Sequence, residues 1–497
     1  MIAFILTPLA CSPILIFDKP NTMQINHFPY NKVNNEILLE IREAVGDHLL
    51  TDADAVVNFT SDESKLTSII PEIVVFPQTT EEVSKIMKIA YSYSIPVTPR
   101  GAGTNVTGAA IPIYGGIVMS LEKMNKLLEI DKENMMAVCE PGIINITLQN
   151  KLSEHNLFYP PDPASVNSCT IGGNVAQCAG GMKAVKYGVT KDYVLGLEVV
   201  LTTGEIITLG GKLRKNVTGY DILGLLIGSE GTLGVITKII LKVLPLPRYK
   251  IDLWIPFSSY TDALTFLPKI YQSQYVPSVI EFLEKDCIKA WEKLEKKKHQ
   301  YSNAQAHIII ELDGNHLEML EKESTDIAKL AEDNNAMDIL YADTPALQNK
   351  IWEIRRKISE ALRFIGGKKV SEDIVVPPSE IFTFMKKLKV IAKETGFKLI
   401  GYGHLGDGNI HVNILKCSLT ETMWKKNLHE VITRIFSLAI SLGGTITGEH
   451  GIGLTKKEYL QEALGDTNYL LMRKIKNLFD PKNILNPGKI FKLSSRR

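Results

Sequence analysis

Residues 403–413, Gly-His-Leu-Gly-Asp-Gly-Asn-Ile-His-Val-Asn, set His404 and His411 around the turn formers Gly406, Asp407, Gly408 and Asn409. That composition predicts a tight connection between antiparallel strands, bracketed by Leu405 and Ile410. Residues facing each other across a hairpin have β-carbons roughly 5 Å apart, so two imidazoles placed this way can grip one divalent ion. Asn413 follows His411 at period two and shares its face. A second glycine-rich turn, Gly448-Glu449-His450-Gly451, puts a carboxylate beside an imidazole. Together they offer His404, His411 and Glu449 as metal ligands and leave His450 over as a general base. One such histidine alone reads more simply as a hydrogen-bonded turn residue. Three of the chain's ten histidines in two glycine-rich, charge-poor stretches favour a site.

The elements that must hold these groups can be read from periodicity. In 351–362, Ile351, Ile354, Ile358, Ala361 and Leu362 form one apolar helical stripe, and Arg355 and Ser359 share a face beside it. The second turn follows an apolar segment, 432–442. Far upstream, 73–76 reads as a buried strand, and Thr79-Thr80-Glu81-Glu82 as a capping box that opens a helix. A strand at 95–98 then runs into Pro99-Arg100-Gly101-Ala102-Gly103-Thr104-Asn105. Several glycines without an acidic side chain make a cradle of backbone N–H groups suited to a pyrophosphate. It is not the Rossmann fingerprint, because Val106 takes the place of the third glycine and no helix pattern follows. A long run of small residues from Tyr159 to Gly181 suits a flat, extended ligand better than a plain loop. A hairpin follows, 194–201 turning at Thr203-Gly204 into 205–209.

The totals bound the class. With 497 residues the chain exceeds one core, and 45% hydrophobic against 22% charged residues excludes disorder. A net charge of +1 argues against a nucleic-acid partner. Six cysteines without a CxxC pair read as reduced thiols, which predicts a cytoplasmic protein. Residues 1–17 are apolar but broken by Pro8 and Pro13, and the first basic residue comes after them, the wrong order for a signal peptide. Translation is expected to start at Met23.

The stretches PRGAGTN, PDPAS, TIGGNVA, YG-x3-D, GSEGTLG, GHxGDGNxH and GEHG occur in one order over about two-thirds of the chain. In this the sequence resembles the vanillyl-alcohol oxidase superfamily, and within it the group of D-lactate dehydrogenases, D-2-hydroxyglutarate dehydrogenases and glycolate oxidase D-subunits. The resemblance implies an α+β fold: an N-terminal extension and helical lead-in (1–66), a PCMH-type FAD-binding domain (67–247), and an α+β cap or substrate domain (248–497) whose helical tail returns to FAD. It implies FAD held by Pro99, Arg100, Gly101, Ala102, Gly103, Thr104, Asn105, Pro161, Asp162, Ser165, Thr170, Ile171, Gly172, Gly173, Asn174, Gly231, Gly234, Val235, Ile236 and Asn486. Thr104 and Asn105 stand where some relatives carry a flavin-linked histidine, so FAD is expected without a covalent link.

The expected activity is oxidation of a small D-2-hydroxy acid, of the D-lactate, glycolate or D-2-hydroxyglutarate type, to the 2-oxo acid. The metal is expected to be zinc, manganese or iron, on His404, His411 and Glu449. His450 is expected to take the hydroxyl proton, with Arg355 and Asn413 fixing the carboxylate and Ser359 beside Arg355. The sequence does not fix the electron acceptor among quinone, cytochrome, flavoprotein and oxygen, and peripheral inner-membrane or oxidase-subunit association is one arrangement. Three other readings fit parts of the sequence: a non-redox FAD-dependent transferase, a non-catalytic FAD-binding subunit of a multi-protein oxidase, and a structural metal site in a binding protein.

Overall fold

The computed structural model describes residues 30–66 and 68–492. The expectation about a start at Met23 therefore lies outside the described residues. The N-terminal part is built on two sheets. In the first, Ile73–Val75, Ile117–Ser120 and Val97–Arg100 run parallel, and Leu49–Leu50 closes one edge antiparallel. The helix Thr80–Tyr93 covers it, burying Val83, Ile86, Met87 and Ala90. Its cap is half of the expected box. Thr79 Oγ1 accepts Glu82 N–H at 3.2 Å, but the Glu82 carboxylate accepts Gln78 N–H at 2.7 Å. The second sheet is antiparallel, in the order Leu127–Asp131, Met136–Cys139, Val235–Lys242, Val194–Val200, Ile206–Gly210. The hairpin expected across Thr203-Gly204 is the pair Val194–Val200 and Ile206–Gly210. The chain returns to the first sheet near its end, where Leu485 bridges to Val97 and Asn486 N–H donates to Val97 O.

The remainder is one seven-stranded antiparallel sheet, ordered Leu340–Ala342, Tyr249–Phe257, Ala306–Gly314, Val279–Glu284, Lys398–His404, Asn409–Leu415, Lys369–Val375. Alternation decides which side chains go where. In Asn409–Leu415, Ile410, Val412 and Ile414 join the core formed with helices Tyr260–Gln272, Leu317–Glu332, Ile381–Thr395 and Glu421–Ser441. His411 and Asn413 therefore face the opposite side, where Lys285–Glu295 and Pro345–Gly366 pack. The predicted stripe on the latter helix is observed, with Ile351, Ile358, Ala361 and Leu362 buried. The five described cysteines are all free thiols.

Candidate active site

Glu449 Oε1 is the centre of the site. It lies 3.5 Å from His404 Nε2, 3.7 Å from His411 Nε2 and 3.9 Å from His450 Nε2. Ligands bound to one zinc-sized ion at about 2.1 Å stand roughly 3.5 Å apart, so this donor set fits a divalent metal. The expected hairpin is present, Lys398–His404 joined to Asn409–Leu415 through a single helical turn, Leu405–Asp407. Its register differs from expectation. His404 pairs with Asn409 and His411 with Tyr402, so the two histidines are diagonal rather than opposite neighbours, with ring centroids 5.1 Å apart. The three-residue helical turn at the hairpin's tip moves the pairing.

Asp373, which the sequence did not single out, also belongs here. Ligand atoms of Asp373, His411, Glu449 and His450 lie within 4.8 Å of one another. Asp373 Oδ2 already accepts the N–H groups of Gly448, Glu449 and His450 and the Thr447 hydroxyl, at 2.9–3.0 Å, and Oδ1 accepts Asn409 Nδ2. It shapes the turn that presents Glu449 and His450. Burial opposes its charge, but His450, Lys456, His411 and these N–H donors hold its pKa well below the ordinary carboxylate range.

Glu281 was not singled out in the sequence. It is fully buried, directly opposite His404 in the sheet; one oxygen pairs with His404 Nδ1 and the other with Arg355 Nε. A lone acidic residue among Val279, Ile280, Phe282 and Leu283 was the available signal. Burial raises the Glu281 pKa, but Arg355 and His404 outweigh it and hold it at about 2. Burial likewise lowers the His404 pKa, yet Glu281 and Glu449 raise it well above the histidine range. For His411, burial and then the charge of His404 prevail, and its pKa falls to about 3. Its ring stacks on His450, 12° from parallel at 5.6 Å.

The other expected catalytic residues divide. Arg355 is buried, its guanidinium 4.8 Å from the centre of the Tyr402 ring, with Nε engaged by Glu281 and no hydrogen bond from the two terminal nitrogens among the described residues. Asn413 is buried, but its Nδ2 donates to the carbonyls of His411 (3.0 Å) and Ile400 (3.4 Å). Only Oδ1, which has no partner, is left, an acceptor rather than a donor for a carboxylate. Ser359 is exposed and accepts Lys369 Nζ at 2.7 Å.

A cleft of about 1310 Å³, open mouth included, runs from the glycine cradle to Glu449 and His450. Residues 99–105, Ser165, Thr170, Gly172, Gly173, Asn174, Gly231, Gly234, Val235 and Ile236 line it. Its floor requires glycine: a β-carbon on Gly101 would meet Thr170 Oγ1 at 2.3 Å, and one on Gly103, at φ +70°, the Arg100 guanidinium at 2.1 Å. That bare backbone fits FAD. Four expected contacts lie outside the lining. The Pro161 carbonyl accepts Asn145 Nδ2, Asp162 pairs with Lys183 at 3.2 Å, Ile171 is in the core, and Asn486 Nδ2 donates to the carbonyls of Ala109 and Glu230. Of these, Asn486 ties Ala109, which follows the cradle, to Glu230 in the cleft wall. Arg100 lines the cleft while Nη1 donates to the carbonyls of Ser61 and Ala110, so it also braces the loop.

The family described as "FAD binding domain" matches residues 71–210, and that described as "FAD linked oxidases, C-terminal domain" matches 246–490. The chain belongs to the FAD-linked oxidases. This FAD-linked oxidase is 38% identical to a D-lactate dehydrogenase of Anaerostipes hadrus over 94% of its own length and 99% of the relative's. It is 38% identical to glycolate oxidase subunit GlcD of Bacillus subtilis (strain 168), over 86% and 90%. Its fold is that of p-cresol methylhydroxylase, with a TM-score of 0.77 at 17% identity, covering 93% and 98% of the two chains. An alkyldihydroxyacetonephosphate synthase shares the fold at TM-score 0.71 and 21% identity, over 93% and 86%. The FAD-linked oxidase is thus an FAD-dependent oxidoreductase with a vanillyl-alcohol-oxidase-type fold. Among its described residues no helix is long and apolar enough to cross a membrane.

Proposed function

We propose that this FAD-linked oxidase converts a small D-2-hydroxy acid to the 2-oxo acid at the junction of domains 67–247 and 248–497. The observation that carries this reading is that Glu449 and His450, beside His404 and His411, line the same cleft as the glycine cradle. FAD supplies the two-electron acceptor for the Cα hydride, and a zinc, manganese or iron ion on His404, His411 and Glu449 supplies Lewis acidity toward the hydroxyl and carboxylate oxygens. The open edge of Arg355 binds the substrate carboxylate as a planar fork. Asn413 Oδ1, which has no protein partner, offers an acceptor in place of the carboxylate contact expected from sequence. His450, with Asp373 Oδ2 3.9 Å from its Nδ1 and Glu449 Oε1 3.9 Å from its Nε2, takes the hydroxyl proton. A quinone, cytochrome or flavoprotein then takes the electrons, which accommodates a subunit role like the one in the name of the glycolate oxidase relative.

An anaerobic titration tests the reading. Bleaching of the flavin band by D-lactate or D-2-hydroxyglutarate but not L-lactate, abolished by EDTA, is the expected result. A yellow protein unbleached by every acid overturns it.

A further inference from the structure

We infer that Glu281 is a positioning residue that sets the metal-binding imidazole of His404 and the substrate-binding guanidinium of Arg355 at a fixed angle to each other. The inference rests on the hydroxy-acid reading above. Glu281 sits in the middle of Val279–Glu284 with no exposure to solvent, paired in register with His404 from the neighbouring strand. Arg355 reaches it from the helix Pro345–Gly366. Each carboxylate oxygen serves one of the two cationic side chains.

A carboxylate at this place accepts and does not donate. Glu281 therefore holds the His404 proton on Nδ1 and turns Nε2 toward Glu449 Oε1, 3.5 Å away, the nitrogen whose proton a bound metal would replace. The same carboxylate takes the Nε–H of Arg355, so the planar fork can turn only its two terminal nitrogens to a ligand. The Tyr402 ring against the guanidinium restricts that plane further. One side chain thereby coordinates a ligand of the metal with the anchor of the substrate, although the three residues come from distant parts of the chain.

Glu281→Gln keeps the shape but offers one acceptor and one donor to two donors. His404 is then driven toward the tautomer with the proton on Nε2, or Arg355 loses its tether. With FAD-loaded enzyme, equilibrium dialysis against Mn²⁺ and Zn²⁺ is expected to show metal affinity reduced roughly 10–100-fold. KM for the best D-2-hydroxy acid is expected to rise at least as much as kcat falls, with FAD content unchanged. Glu281→Asp, still an acceptor at both oxygens, is expected to recover part of both losses. If E281Q does not fold, E281D is measured alone and is expected to lie several-fold below wild type in metal affinity. Wild-type affinity and KM in the folded variant overturn the inference, as does equal loss in E281Q and E281D accompanied by loss of FAD, which marks a merely structural carboxylate. Wild-type enzyme run in parallel separates the two levels. If it neither binds metal nor is bleached by a D-acid, the functional reading itself fails; if it does both and E281Q matches it, only the role of Glu281 fails.

Discussion

The Glu230 carboxylate, in the wall of the cofactor cleft, accepts the backbone N–H of Ile452 at 2.7 Å, and its other oxygen accepts Gly453 N–H at the same distance. Ile452 lies two residues beyond His450, whose carbonyl accepts Asn105 Nδ2 from the glycine cradle. The turn that presents Glu449 and His450 is thus held by cradle residues on one side and by Asp373 on the other. Occupancy of the cradle and order in the turn are therefore coupled, and coupling between two binding equilibria is reciprocal. Metal is expected to tighten FAD binding about tenfold, and FAD to tighten metal binding by the same factor. In Glu230→Ala both factors fall toward one. Flavin-fluorescence titrations with and without Mn²⁺ measure the first, and dialysis of the FAD-free and FAD-loaded proteins the second.

His450 is expected to act by proton transfer and the other two histidines by holding metal. His450→Asn is predicted to slow flavin reduction roughly 10²–10⁴-fold with metal still bound. His411→Asn and His404→Asn are predicted to lose the metal. Stopped-flow reduction together with elemental analysis checks both. Loss of metal in H450N would make His450 a ligand, as the proximity of Asp373, His411, Glu449 and His450 allows.

Gly101→Val probes the cradle. Its new side chain enters the space of Thr170 Oγ1, which caps the helix Ile171–Gln177 by accepting Gly173 N–H at 3.2 Å. The expected product is a folded, nearly colourless protein with less than about a tenth of the wild-type FAD, a loss near 1.4 kcal/mol or more. The ratio of flavin to protein absorbance is the measurement.

A pH effect is expected one strand over from Glu281, at His307. Trp254 Nε1 donates to His307 Nδ1 at 3.0 Å, and burial, then neighbouring His299, pushes the His307 pKa down to about 3. Between about 6.5 and 3 the unfolded chain binds the proton that the folded protein refuses. The stability contribution is present above pH 6.5 and is lost as pH falls toward 3. In urea unfolding at pH 7 and pH 4.5, His307→Gln is expected to lose about 2–3 kcal/mol less than wild type on acidification.

What is local in the chain was legible without coordinates. Period-two alternation in 409–415 separates His411 and Asn413 from Ile410 and Val412, and the helical stripe of 351–362 places Arg355 beside a buried face. The glycines of the cradle announce a backbone-lined cleft, because only a residue without a β-carbon permits the approach seen at Gly101 and Gly103. Partnerships across the fold were not legible. Glu281 meets a histidine 123 positions away, Glu230 an amide 222 positions away, and Asp373 a turn 75 to 77 positions away. Ile171 is buried in the core, Asn486 Nδ2 donates to the Ala109 carbonyl, and Asp162 turns to Lys183. Alternation tells which side of a strand a residue occupies. Which strand lies next to it, in what register, and which helix crosses above are settled by how the whole sheet buries its apolar faces, and those decide what each side chain touches.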